Sequence, residues 1–324
     1  MLADLVAVLR QTLGILHKQD IQLASCGLRH SIALPHLSTS VQLGDDCAAI
    51  PDGDGYLLLA AEGILPKLVE TEPWFAGWCA VLVNVSDIYA MGGRPIAVVD
   101  ALWSQSLSNA QLLWEGMVAA AQTFNVPIVG GHTNCHSPYD ALSVAILGRA
   151  HQLITSFQAQ PGDVLLLLTN LRGKAHPHYP FWDAATQADP QQLRADLALL
   201  PSFAEAGWCN AGKDISMGGI IGTLLMLLET SGCGAVLDLD RLPCPDGLAL
   251  ERWLISFPSY GFLLSVRPEF VDRIQASAHQ RDLVCAAIGD IEAGSQLKLK
   301  LQQAIEVFWD LAQEDLTGFN PRQN

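Results

Sequence analysis

The sequence predicts two α+β domains, and three observations carry that prediction. The chain has 324 residues, 50% of them hydrophobic and only 16% charged, enough to bury two cores of ordinary size without covalent staples. Short apolar runs that suit strands are mixed with segments of helical periodicity in both halves. No fixed short repeat runs through the chain, which excludes a solenoid. The boundary falls near residue 152, giving domains of 1–152 and 153–324.

The elements follow in order. Leu5, Leu9, Leu13 and Leu16 predict one helix over residues 1–16. Residues 17–44 contain Gly27 and Pro35 without a clear period and read as a loop or mobile segment. A short strand follows Asp45-Asp46, then a turn at 51–55 and an apolar strand, Tyr56–Ala61, ending at Glu62. Trp74, Trp78, Val81, Val85 and Ile88 predict a helix over 73–91, with Pro73 in its first turn and Gly92-Gly93 after its end. Ile96–Trp103 is a strand, and Ser108 caps a helix over 109–124. Val126–Val129 is a short strand running into a turn at Gly130-Gly131-His132, and Ala141–Leu147 is another strand. The second half offers strand Val164–Leu168, a loop excursion over 172–192 and a helix over 191–206. Lys213–Gly219 then opens an apolar helix, Ile220–Glu229, and strands follow at 235–239, 262–266 and 284–288.

Composition excludes several functions. The formal charge is −15, spread over both halves, and the longest basic cluster is Lys298 and Lys300. Such a chain repels phosphate backbones, so no nucleic-acid partner is expected. Eight cysteines without a Cys-x-x-Cys pair fit reduced thiols in a cytoplasmic protein, not a disulfide scaffold or a zinc ribbon. Neither a basic leader nor a membrane-length apolar run is present, so no membrane partner is expected.

The chemistry lies in acids placed where a core should be. Asp45-Asp46 precedes an apolar strand, where a solvated turn is the plainer explanation. Glu62 stands at a strand end, as any exposed acid can. Asn84 and Asp87 share one face of a helix that is otherwise apolar, and a buried carboxylate is costly unless bonded, paired or metal-bound. Gly130-Gly131 lets backbone amides approach an anion, or forms a simple tight turn. Lys213-Asp214-Ile215-Ser216 reads as a phosphate cradle or as an ordinary helix cap. Taken together, carboxylates that converge need cations, and Mg²⁺ bridging to nucleotide phosphates is the natural choice. Gly207–Lys213 matches G-x-x-x-x-G-K, but Asp214 replaces the hydroxyl residue that a phosphate-binding loop needs. The histidines lack the spacing of a zinc site.

Four motifs in order, Gly44-Asp45-Asp46-Cys47-Ala48, Asn84-Val85-Ser86-Asp87 with Met91-Gly92-Gly93-Arg94-Pro95, Gly130-Gly131-His132-Thr133, and Asp214-Ile215-Ser216-Met217-Gly218-Gly219, resemble the AIR synthase superfamily. That superfamily includes aminoimidazole ribonucleotide synthetase, thiamine-monophosphate kinase, selenophosphate synthetase and HypE. The resemblance implies a two-domain PurM-like fold and a homodimer whose N-terminal domains pair into a β-barrel. It implies an enzyme using ATP and Mg²⁺ to phosphorylate or activate a small molecule. It assigns Asp46 and Asp87 to Mg²⁺-phosphate, with Asp45 beside them and Glu62 and Asp214 as further acids. It assigns Asn84, Gly130, Gly131, His132 and Asp214 to the nucleotide, and 17–44, with Lys18, Arg29 and His30, to a flap over the phosphates.

The chain also departs from each branch. Ala61-Glu62 replaces a Thr-Asp pair, His132 replaces the kinase branch's Asp, and Met217 replaces a second Asp. Cys26 has no lysine close behind it, unlike the selenium branch, and the chain ends without HypE's cysteine tail. An unassigned subgroup is therefore expected. Thiamine-monophosphate kinase is the alternative enzyme, and a nucleotide-binding assembly or regulatory protein without turnover is the alternative of another class.

Overall fold

The computed structural model describes residues 2–29 and 41–321. The chain begins with three helices, α1 (Leu2–Arg10), α2 (Leu13–Gln19) and α3 (Ile21–Arg29). Next come β1 (Ala48–Asp52), β2 (Gly55–Gly63), α4 (Pro66–Thr71), α5 (Pro73–Ala90), β3 (Arg94–Trp103), α6 (Leu107–Phe124), β4 (Ile128–Asn134) and β5 (Ala141–Ala150). The following stretch holds β6 (Val164–Thr169), β7 (Lys174–Ala175), β8 (Phe181–Asp183), α7 (Pro190–Leu197), α8 (Leu199–Glu205) and β9 (Ala211–Asp214). The chain then forms α9 (Gly219–Ser231), β10 (Gly234–Asp238), α10 (Leu250–Leu254), β11 (Phe257–Pro258), β12 (Gly261–Val266), α11 (Pro268–His279), β13 (Val284–Glu292), β14 (Gln296–Leu301) and β15 (Ala304–Asp310).

These elements form two compact units, an N-terminal one of Asp46–Leu153 with Ala185–Ser202, and a C-terminal one of Met1–Asp45, Ile154–Ala184 and Phe203–Asn324. Where the sequence reading puts all of 1–152 in one domain, the described residues ahead of Asp46 group with the C-terminal unit. The cause is the apolar face of α1 and α2, because Leu2, Leu5, Leu9 and Ile15 join that unit's core.

The N-terminal unit has an open five-stranded sheet in the order β1-β2-β5-β3-β4. Neighbours are antiparallel except β3 and β4, which run parallel and are joined by α6. Alternation gives the sheet one buried face, with Leu58, Ala60, Val98, Leu102, Val144 and Ile146. The Ile88 side chain of α5 packs over Gly148 of β5. The opposite face is apolar yet open: Leu59 is 48% exposed and Val99 43%.

The C-terminal unit is built on a seven-stranded sheet, β15-β14-β10-β13-β6-β12-β9, antiparallel except for β10 beside β14. Leu165, Leu166, Leu167 and Leu168 of β6 are all buried, so both faces of the central strand are covered. Twelve of the residues of α9 are buried, as expected of a helix that is apolar all round. Within the stretch read from sequence as a loop excursion, β7 and β8 form two strands of a small sheet completed by β11, in the order β11-β8-β7.

Several boundaries differ from the sequence reading. Residues 1–16 break at Thr12, whose backbone is extended and whose hydroxyl donates to Leu9 O at 2.8 Å. Residues 13–29, read as mostly loop, are helical. Part of their support is tertiary: Gln22 Nε2 donates to Asp315 O at 2.8 Å and Leu316 O at 3.2 Å. The cap of α6 is Ser106 rather than Ser108, its hydroxyl accepting from Asn109 N at 3.1 Å. The helix expected over 191–206 splits into α7 and α8, because Pro201 lacks the amide that a continuous helix would use. All eight cysteines are free thiols, and burial pushes those of Cys209 and Cys285 up to about 12.

Candidate active site

The site is built on α5 and on the residues just ahead of β1. Spacing of three puts Asn84 and Asp87 on one face of α5, and both are buried, Asn84 fully and Asp87 to 5% exposure. Asn84 Nδ2 donates back along its own helix to Ala80 O at 2.8 Å. Its Oδ1 is buried, and no donor among the described residues bonds to it. Asp46 and Asp87 each bring a carboxylate oxygen to within 4.8 Å of the other. Two unit charges about 4 Å apart repel by about 4 kcal/mol at an effective dielectric near 20. A pair of hard oxygen donors at this spacing suits a small divalent cation. The residues present therefore fit Mg²⁺.

The other predicted residues are placed as follows. Asp45 belongs to the C-terminal unit, where its Oδ2 accepts from Ser156 N at 2.9 Å. Glu62 sits near the end of β2 and is exposed, with its carbonyl accepting from Ser143 Oγ at 3.0 Å. Gly130, Gly131 and His132 do not form a turn; they lie inside edge strand β4, in register with Val99, Asp100 and Ala101. His132 stands against Trp103, ring centroids 5.8 Å apart. Asp214 ends strand β9 opposite Phe262 instead of opening a helix, and α9 begins only at Gly219. Lys18 lies on α2 and is half-buried. Arg29 ends α3, and His30 falls outside the described residues.

One residue was missed. Glu62 and Asp100 both pair with Val144, so they lie in one cross-strand row on the same side of the sheet, Glu62 at its exposed end and Asp100 buried. Asp100 is 6% exposed, and among the described residues no other residue's donor bonds to either carboxylate oxygen. A Cβ built on Gly131 would stand 2.0 Å from Asp100 Oδ1. Glycine at 131 therefore makes room for this carboxylate, which is the reason for at least one of the two glycines. The signal was an acid at a core-facing position of an apolar strand. Burial raises the Asp100 pKa, against smaller opposing effects of its own backbone amide and of His132. The raised value belongs to the folded state, so stability falls as pH rises from the ordinary aspartate range through the folded pKa. Asp100→Asn is expected to melt higher than wild type above that window, the gap closing on acidification. Parallel melting profiles across pH 3–8 would contradict this assignment.

Residues 44–150 match the AIR synthase related protein N-terminal domain, and residues 160–302 match the AIR synthase related protein C-terminal domain. The chain belongs to the AIR synthase related family. Among relatives in this family, the chain is 62% identical over 320 residues to an uncharacterized protein, sll0787, of Synechocystis sp., covering 98% of this chain and 99% of that one. It is 27% identical to a thiamine-monophosphate kinase of Synechococcus elongatus, covering 82% and 88%. The fold matches that of T. maritima PurL complexed with ATP at a TM-score of 0.73 and 19% identity, covering 98% of this chain and 55% of the PurL chain. The chain thus spans about half the length of that PurL.

Proposed function

We propose that this member of the AIR synthase related family is a Mg²⁺- and ATP-dependent enzyme that phosphorylates or activates a small molecule. The observation that carries the reading is the approach of Asp46 and Asp87, far apart in sequence, to within 4.8 Å beside the buried Asn84. In this reading the two carboxylates hold Mg²⁺, which would neutralise charge on the triphosphate. The buried Asn84 Oδ1 accepts a donor from the nucleotide. Asp45, Glu62 and Asp214 remain further candidate metal ligands, and Gly130, Gly131, His132, Lys18 and Asp214 candidate ATP contacts, on the strength of the motif resemblance alone.

The open face of the N-terminal sheet, with Leu59 and Val99, is proposed as the homodimer surface, where a second copy would complete a barrel. A cytoplasmic location is part of the same proposal. The relative named thiamine-monophosphate kinase supports a second reading, that thiamine monophosphate is the acceptor. Incubation with Mg·ATP and thiamine monophosphate separates the two. Diphosphate product would favour the second reading, and ADP release with another metabolite the first. ATP binding without ADP release from any acceptor would leave a nucleotide-binding protein that does not turn over.

A further inference from the structure

We propose that the bare edge of β15 is a docking site for an extended segment of another protein, one with apolar residues on either side of a basic residue. β15 is the outer strand of the seven-stranded sheet and pairs on one side only, with β14. Alternate amides and carbonyls of such a strand point away from the sheet and can pair with a further strand. The sheet's opposite edge, β9, is covered, with all four of its residues buried. On β15 the reverse holds. Ala304, Ile305, Glu306 and Val307 are all exposed, Ile305 to 56% and Val307 to 46%. Edge strands are usually guarded by lysine or proline, and Ala304–Asp310 contains neither. The exposed stretch stops at Phe308, the extra residue of a β-bulge, whose carbonyl accepts from Arg10 Nη1 at 3.3 Å.

The side chains of β15 define what the added strand carries. Ile305 and Val307 lie on one side of β15, in register with Lys300 and Lys298, and Glu306 lies on the other, in register with Leu299. Lys298 is paired with Glu292 at 3.0 Å and Lys300 with Asp238 at 2.8 Å. Their charges are answered within the sheet, which leaves Ile305 and Val307 to be matched by apolar side chains. Glu306 has no ion-pair partner among the described residues. Directly opposite residues of neighbouring strands interact, opposite charges favourably and like charges unfavourably. A strand laid beside β15 therefore fits best with a basic residue facing Glu306 and apolar residues facing Ile305 and Val307. A second copy of β15 does not meet this requirement. Ala304–Asp310 has no basic residue, so in no register does it give Glu306 an opposite charge. The formal charge of −15 also draws a basic segment toward the chain.

Ile305→Lys and Glu306→Lys alter exposed side chains, so both variants should fold as wild type does. The probes are a capped peptide, Thr-Val-Lys-Val-Thr, its counterpart Thr-Val-Glu-Val-Thr, and Val-Thr-Lys-Thr-Val, which keeps charge and composition but reverses the alternation. Each is titrated into the isotope-labelled full chain, where amide chemical shifts report both the residues touched and the affinity. With wild type, the first peptide is expected to shift the amides of Ala304–Val307. It should bind about fivefold more tightly than the glutamate peptide, the scale of an opposite-charge cross-strand pair. Glu306→Lys should reverse that order, and Ile305→Lys should weaken both. The peptide of reversed alternation should bind wild type less tightly than the first. No shift at Ala304–Val307, an unreversed order with Glu306→Lys, or equal affinity for the two lysine peptides would overturn the proposal. So would a self-association of wild type that Ile305→Lys abolishes, since the edge would then belong to a second copy.

Discussion

Asp87→Asn is expected to abolish the stabilisation that Mg·ATP gives the wild-type protein, while the fold survives. Asparagine keeps the shape of the side chain and removes its charge, and Asp87 is one of two carboxylates brought within 4.8 Å. A ligand at about 100 times its Kd stabilises the folded state by about 2.7 kcal/mol. For units of this size that corresponds to a rise in Tm of about 5–10 °C. Without ligand the variant should melt no lower than wild type, because removing one of two neighbouring negative charges relieves repulsion. Differential scanning calorimetry with and without Mg·ATP measures both effects. The same ligand-induced rise in the variant as in wild type would remove Asp87 from the site.

The second large effect is expected at Glu229. Glu229→Ala leaves three buried amides and one hydroxyl, from Leu316, Thr317 and Gly318, without their acceptor. Each buried donor left unmade costs about 1–3 kcal/mol. Removing one partner of a buried charged network typically costs about 3–5 kcal/mol in all. The C-terminal unit should therefore lose on the order of 4 kcal/mol, a large fraction of the stability of an ordinary domain. Glu229→Gln keeps one acceptor oxygen and should lose less. Denaturant unfolding orders the three proteins, and an Ala variant within 1 kcal/mol of wild type would show that water replaces the carboxylate.

Legibility tracked how locally each element is stabilised. α5 was readable to within a residue because its apolar spacing, Pro73 and Gly92-Gly93 all act within the helix. The strand Val164–Thr169 was readable because a run of leucines buried on both faces has no other use. α2 and α3 were not, because part of their support comes from residues about 300 positions away, as Gln22 with Asp315 shows. The strand start at Val126–Val129 was readable, but the rest of β4 from Gly130 read as a turn because glycine pairs are ambiguous. The Asp100 carboxylate lying over Gly131 explains the second of the two. In the site, Asn84 and Asp87 stood out because polar groups on an apolar helix are costly. Asp100 passed unnoticed although the same cost applies to it, because a single acid in a strand is a fainter mark than two at helical spacing.

The order of packing along the chain has a consequence for synthesis. Ribosomes deliver the polypeptide from its amino end, and domains generally fold as they emerge. The unit containing Asp46–Leu153 can close once Ser202 has appeared. The other cannot, since Arg10 waits for Glu314 and Gln22 for Asp315 and Leu316. Its first helices must therefore stand idle through nearly all of translation, exposing Leu2, Leu5 and Leu9 to chaperones. A nascent chain stalled short of its last dozen residues should be cut by protease in this half and spared in the other.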